Sequence, residues 1–117
     1  MIQIKRAYAM PLKTDGSRIL VDRLWPRGMT KENLAIDQWL KEISPSDDLR
    51  RWFAHKEEHW SEFLCRYFKE LDQKQTFWQP IIEKSKQGCV TLIYASRDTQ
   101  YNNARALKQY LDSKQES

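Results

Sequence analysis

Cys89–Ala95, CVTLIYA, is the longest apolar run in the chain and shows no polar alternation. A strand with one wet face alternates apolar and polar residues, whereas one covered on both faces does not. Gly88 is a natural stop for whatever precedes the run, and Ser96-Arg97-Asp98 leaves it. Cys89–Ala95 is therefore expected to be a central strand of a sheet covered by helices, and it is far shorter than the roughly 20 residues that cross a bilayer.

Upstream, Ile19–Leu24 reads as a second strand, rich in branched apolar residues. Ile2, Ile4, Ala7 and Tyr8 suggest a first strand, which Lys5 and Arg6 leave at an edge. Pro11 and Asp15-Gly16 mark the turn between the two. Thr30 is an N-cap for a helix over 31–43 whose apolar face is Ile36, Trp39, Leu40 and Ile43, at i, i+3, i+4, i+7 spacing. Ser44-Pro45 ends it, and Ser46, Asp47 and Asp48 can cap a short helix over 47–54 carrying Leu49, Trp52 and Phe53. Trp60, Phe63, Leu64, Tyr67 and Leu71 trace one face of a longer helix. Residues 76–87 form another, with Pro80 inside it, and Asn102 or Asn103 can cap a last helix burying Ala104, Leu107 and Leu111.

This order predicts an α/β fold: a single domain over residues 1–112 with a small, mostly parallel sheet of about three strands covered by about five helices, and a flexible polar tail over 113–117. The long crossover makes the second and third strands parallel. The short link after the first leaves its direction open. The 117 residues include 20 basic and 16 acidic side chains, a net charge of +4. That surplus favours anionic partners without the dense basic cluster of a dedicated DNA binder. Cys65 and Cys89 lack CxxC spacing and read as small core or boundary residues, and the N-terminus lacks the apolar segment of an export signal. A reduced, cytoplasmic protein with no membrane span is expected.

In open α/β sheets ligands gather outside the carboxyl ends of parallel strands. Two strands here end in polar clusters: Asp22, Arg23, Trp25 and Arg27 after the second, and Ser96, Arg97 and Asp98 after the third. The helix starts near Thr30 and Asn102 would add free amides to the same edge. The expectation is a pocket in which Arg23, Arg27 and Arg97 hold an anion beside Asn103, with Trp25 as a wall. Asp22 or Asp98 would act as base or orienting group, and His55 would carry a proton if the second helix folds over the pocket. An ion pair between Asp22 and Arg97 or Arg27 is the structural alternative.

His55-Lys-Glu-Glu-His59 fits the HxxEH pattern of one class of zinc peptidase, but the chain has no further histidine as third ligand, so no metal site is assigned. GxGxxG, P-loop and GxSxG motifs are absent, and no cofactor is indicated. The two helices over 31–43 and 47–54, with Arg50 and Arg51 on the second, loosely match a helix-turn-helix, the basis of an alternative reading as a non-catalytic nucleic-acid- or protein-binding module.

RILVDRLWPRG, IDQWL, RWFAH, TLIYASRD and Asn102-Asn103-Ala104 together resemble the YeaO-like family of uncharacterised bacterial proteins, part of a larger domain-of-unknown-function family, from about Ile4 to Leu111. The resemblance implies an α/β fold with shared polar positions at Asp22, Arg23, Trp25, Arg27, His55, Arg97, Asp98 and Asn103. It also implies that His55 precedes the third helix. The chain departs from the family pattern at Tyr101, where a histidine is typical, and at His59. The function expected is an anion-binding α/β protein, an enzyme on a phosphorylated or nucleotide-like small molecule in the sharper form.

Overall fold

The computed structural model describes residues 1–115. Its strands are β1 (Ile2–Arg6), β2 (Ser17–Leu20), β3 (Gln38–Trp39) and β4 (Val90–Tyr94). They form one sheet in the order β1-β4-β2-β3, with every pairing parallel. The helices are α1 (Lys31–Leu34), α2 (Asp47–Phe53), α3 (Trp60–Asp72), α4 (Gln75–Gln87) and α5 (Asn103–Gln115). The α/β class with a small parallel sheet is thus the observed one, with β3 a short extra edge.

All five residues of β4 are buried, because helices or loops cover both faces of the sheet. Alternation along the strands sorts the core into two unequal layers. Ile19, Val21, Val90, Leu92 and Tyr94 face the larger one, filled by α2, α3, α4 and α5 through Phe53, Phe63, Tyr67, Trp78, Leu107 and Leu111. Leu20 and Ile93 face the other side, under Leu34 of α1 with Trp25, Ile36 and Trp39 packed around them.

The helix expected over 31–43 is not formed. Thr30 does cap α1, accepting from the Asn33 N–H at 3.0 Å. After one turn Ala35 adopts the left-handed conformation (φ 51°, ψ 45°) and the chain leaves the helix. Asp37 then bonds the start of β2: its N–H donates to the Arg18 carbonyl, and its carboxylate accepts from the Arg18 N–H at 2.8 Å. The Leu40 N–H donates to the Leu20 carbonyl, so this segment serves as the sheet edge. The apolar spacing that suggested a helix comes from opposite faces of that edge: Ile36 and Trp39 join the small layer, Leu40 and Ile43 the large one.

Gly16 sets the start of β2. Its φ is +65°, and a Cβ there would lie 2.1 Å from the Cys89 carbonyl oxygen, which accepts the Ser17 N–H. Pro80 sits within α4 without ending it. Cys65 is exposed on α3 and Cys89 half-buried, both as free thiols. Of the expected tail, Ser113 to Gln115 lie in α5, where the Ser113 hydroxyl donates to the Tyr110 carbonyl; residues 116–117 lie outside the described part. None of the described helices is long and apolar enough to cross a membrane.

Candidate functional site

β2 and β4 run side by side until Val21, whose N–H donates to the Ile93 carbonyl. A parallel ladder would next bond the Ala95 N–H to the Val21 carbonyl. Two side chains break that bond instead. The Asp22 carboxylate takes the Ala95 N–H at 2.8 Å, and the Asn103 amide donates to the Val21 carbonyl at 3.2 Å and to the other Asp22 oxygen at 3.1 Å. β2 therefore ends at Leu20, short of the expected Leu24, and the two strand ends splay apart. From here the chain after β2 turns into the layer of α1 while the chain after β4 turns into the layer of α5. That divergence is the topological switch at which doubly wound sheets open a crevice.

A cleft of about 540 Å³ occupies this position. The stretch after β2 gives it Asp22, Arg23, Leu24, Trp25, Pro26 and Arg27; α2 gives Arg50, Arg51 and Phe53; the start of α5 gives Asn102 and Asn103. Tyr8, His55, Phe63 and Tyr101 complete the rings around it. Four arginines thus line one cleft, and Asp22 is the single acidic residue among the described residues that do so. Arg27 has no ion pair or side-chain hydrogen bond among the described residues; only its backbone carbonyl is engaged, by the Tyr8 hydroxyl at 2.9 Å. Arg23 donates from Nη2 to the Pro45 carbonyl at 3.5 Å, and its buried Nε lies 3.4 Å from the Asp47 carboxylate, an ion pair without hydrogen-bond geometry. Arg50 shares Asp47 with it, at 2.7 Å.

Of the residues named from the sequence, Asp22, Arg23, Trp25, Arg27, His55 and Asn103 line this cleft. Arg97 and Asp98 do not: Arg97 is exposed outside it, and Asp98 is engaged in the turn before α5, accepting from the Gln100 and Tyr101 N–H groups at 2.9 Å. Those two amides, together with nearby His55, hold the Asp98 carboxyl below the usual range. The caps expected at Ser46 and Asn102 form, accepting from the Leu49 and Arg105 N–H groups. Asn102 sets the start of α5 beside the cleft, whereas none of the one-turn helix α1 lines it. Arg50 and Arg51, placed from the sequence on the second helix of a loose helix-turn-helix match, stand in the cleft wall because α2 packs over the strand ends. With α1 stopping at Leu34 instead of running to 43, the first helix of the supposed helix-turn-helix is cut to a single turn. No local signal in the sequence marked Arg50 or Arg51 as cleft residues, since only the packing of α2 brings them there.

Burial pushes the Asp22 carboxyl above its ordinary range, against the opposing pull of the Ala95 N–H, the Asn103 amide and nearby Arg50. Both carboxylate oxygens are already hydrogen-bonded. His55 follows Ala54 out of α2, both with positive φ (57° and 45°), and its ring tilts against Phe53. His59 ends a short 3-10 turn and stacks on Trp52 with ring centroids 4.5 Å apart. Both histidines precede α3, so they do not share the helix face that an HxxEH zinc site needs. Trp25 is fixed from behind, its Nε1–H donating to the Met29 carbonyl at 2.7 Å and its ring meeting Trp39 edge-on at 5.5 Å.

Comparison with known proteins gives a family and close relatives. A family model described as the inactive DUF488-N3 subclade matches residues 1–117. The chain is 41% identical to the uncharacterised protein YeaO of Escherichia coli over 112 residues, covering 96% of this chain and 97% of that protein. It is 32% identical over 113 residues to the uncharacterised proteins Mb3100c of Mycobacterium bovis and Rv3073c of Mycobacterium tuberculosis, covering 97% of this chain and 95% of each. No solved structure matches.

Proposed function

The chain belongs to the inactive DUF488-N3 subclade, and on that premise we propose that its strand-end cleft binds a phosphorylated small molecule and holds it without turnover. The observation that carries this reading is the convergence of Arg23, Arg27, Arg50 and Arg51 on one cleft whose single acidic lining residue, among those described, is already hydrogen-bonded through both oxygens. Guanidinium groups recognise phosphate oxygens through paired, charge-assisted hydrogen bonds. The start of α5 at Asn102 and Asn103 adds the positive end of a helix dipole to the same wall. The description of the family as inactive supports binding over catalysis.

The test is titration of ribose 5-phosphate by calorimetry against the wild-type chain and an Arg50→Gln/Arg51→Gln variant. Both arginines are exposed, so the fold is expected to survive. One lost charge-assisted bond weakens binding by about tenfold or more; equal affinity of the two proteins refutes the reading. A second reading, in which the cleft catalyses a reaction and Asp22 or His55, the two sequence-named proton carriers that line it, moves a proton, is favoured by the burial that raises the Asp22 carboxyl within the cleft. Its signature is release of inorganic phosphate or another product from a bound ester, abolished by Asp22→Asn.

A further inference from the structure

Resting on the reading of the cleft as a phosphate-ester site, we propose that its ligand is a free mononucleotide, whose base lies against Trp25 while its phosphate meets the arginines. Beside its arginines the cleft is also lined by Leu24, Trp25, Pro26, Phe53 and Phe63. A bare sugar phosphate would leave that apolar wall wet and set its hydroxyls against carbon, so a site for one has no use for it. A ligand with a flat, largely apolar ring beside its charged group covers both halves.

Trp25 is the suited surface. The bond from its Nε1–H to Met29 and the edge contact with Trp39 hold the indole before any ligand arrives, and Pro26 restricts the backbone of the residue it follows. A ring already held in one rotamer stacks without losing side-chain freedom. Polar groups suited to a ribose or a base edge stand in the same cleft: the Ser96 hydroxyl accepts from the Asp98 N–H and keeps its own proton to donate. The volume, about 540 Å³, falls in the range of pockets for a single small ligand, about 300–1,000 Å³.

The experiment titrates the wild-type chain with the 5′-monophosphates of adenosine, guanosine, cytidine and uridine, with adenosine, with ribose 5-phosphate, with inorganic phosphate and with a 5′-phosphorylated oligonucleotide. At least one mononucleotide should bind about 5- to 100-fold more tightly than ribose 5-phosphate, the span expected of one stacked base. Trp25→Leu should remove that advantage and leave ribose 5-phosphate unaffected, and Trp25→Phe should restore part of it. Equal affinity for all phosphates overturns this inference while leaving the phosphate site standing. Tighter binding of the oligonucleotide overturns the choice of a free mononucleotide. Binding of none of these phosphates overturns the site itself. The ligand series needs no variant, so the inference stays testable should Trp25→Leu fail to fold.

Discussion

Asn103→Ala tests the mechanism that opens the cleft. The amide of Asn103 makes two bonds, to the Val21 carbonyl and to the Asp22 carboxylate. A bond to a neutral carbonyl contributes about 0.5–1.5 kcal/mol and one to a charged group about 1.5–3 kcal/mol, so their joint loss is about 2–4.5 kcal/mol. That is a large part of the roughly 5–15 kcal/mol that separates native from unfolded domains. Urea unfolding followed by tryptophan fluorescence at pH 7.5 should show a lower midpoint with an unchanged slope. The pH dependence is the sharper part. Burial already raises the Asp22 carboxyl, and losing the Asn103 amide removes one of the bonds that hold it down. In the variant the native state therefore keeps a proton to higher pH than the unfolded chain, whose value stays near 3.9. The charge-dependent share of the loss is complete above the native-state value and disappears as pH falls toward the unfolded one. A loss under about 0.5 kcal/mol at pH 7.5, or one that fails to shrink toward pH 4, would refute the claim that Asn103 and the Asp22 carboxylate jointly end the ladder.

Two further substitutions probe the backbone. Gly16→Ala would put a methyl 2.1 Å from the Cys89 carbonyl at a φ of +65°, so β2 must shift; a loss of roughly 3 kcal/mol or insoluble expression is expected, and a wild-type melting curve would contradict the packing described. Ala54→Gly should stabilise: the left-handed conformation after α2 costs alanine about 1–2 kcal/mol, and glycine returns about 0.4–1 kcal/mol of that through its freer unfolded chain. The net gain of about 0.5–1 kcal/mol should raise Tm by about 2–5 °C, whereas a fall in Tm would show that the turn is unstrained.

The elements that were legible in the sequence are those whose signals are local. An unbroken apolar run marks β4, and Thr30, Ser46 and Asn102 each place a side-chain oxygen where the first free N–H groups of a helix lie. The segment from Ile36 to Ile43 misleads because periodicity reports spacing and not direction: four apolar residues at helical spacing fill two cores on opposite sides of an edge strand. Nothing local marks Ala35 as the break, since alanine is the best helix former and its left-handed geometry is imposed by the bonds of Asp37 to Arg18. At the site, residues contiguous with β2 were readable because a strand end is a fixed place in such folds. Asp98 was read toward the cleft, but its carboxylate closes its own turn, and Arg50 and Arg51 enter the cleft only through the packing of α2.

The strand order also dictates when the sheet can exist. β1 pairs with β4 alone, and β2 has only β4 and the two-residue β3 beside it. As the chain leaves the ribosome, β1 waits for a partner 88 residues downstream (Ile2 against Val90). β1 therefore emerges without a ladder partner and β2 with only the two-residue β3 within reach, while α3 and α4, whose bonds are local, can form early. Sheets closed by such distant pairings assemble slowly, because the loop must close before any contact compensates for it. The exposed interval, from synthesis of β1 to synthesis of β4, is when a nascent chain has most to gain from a chaperone that shields strand edges.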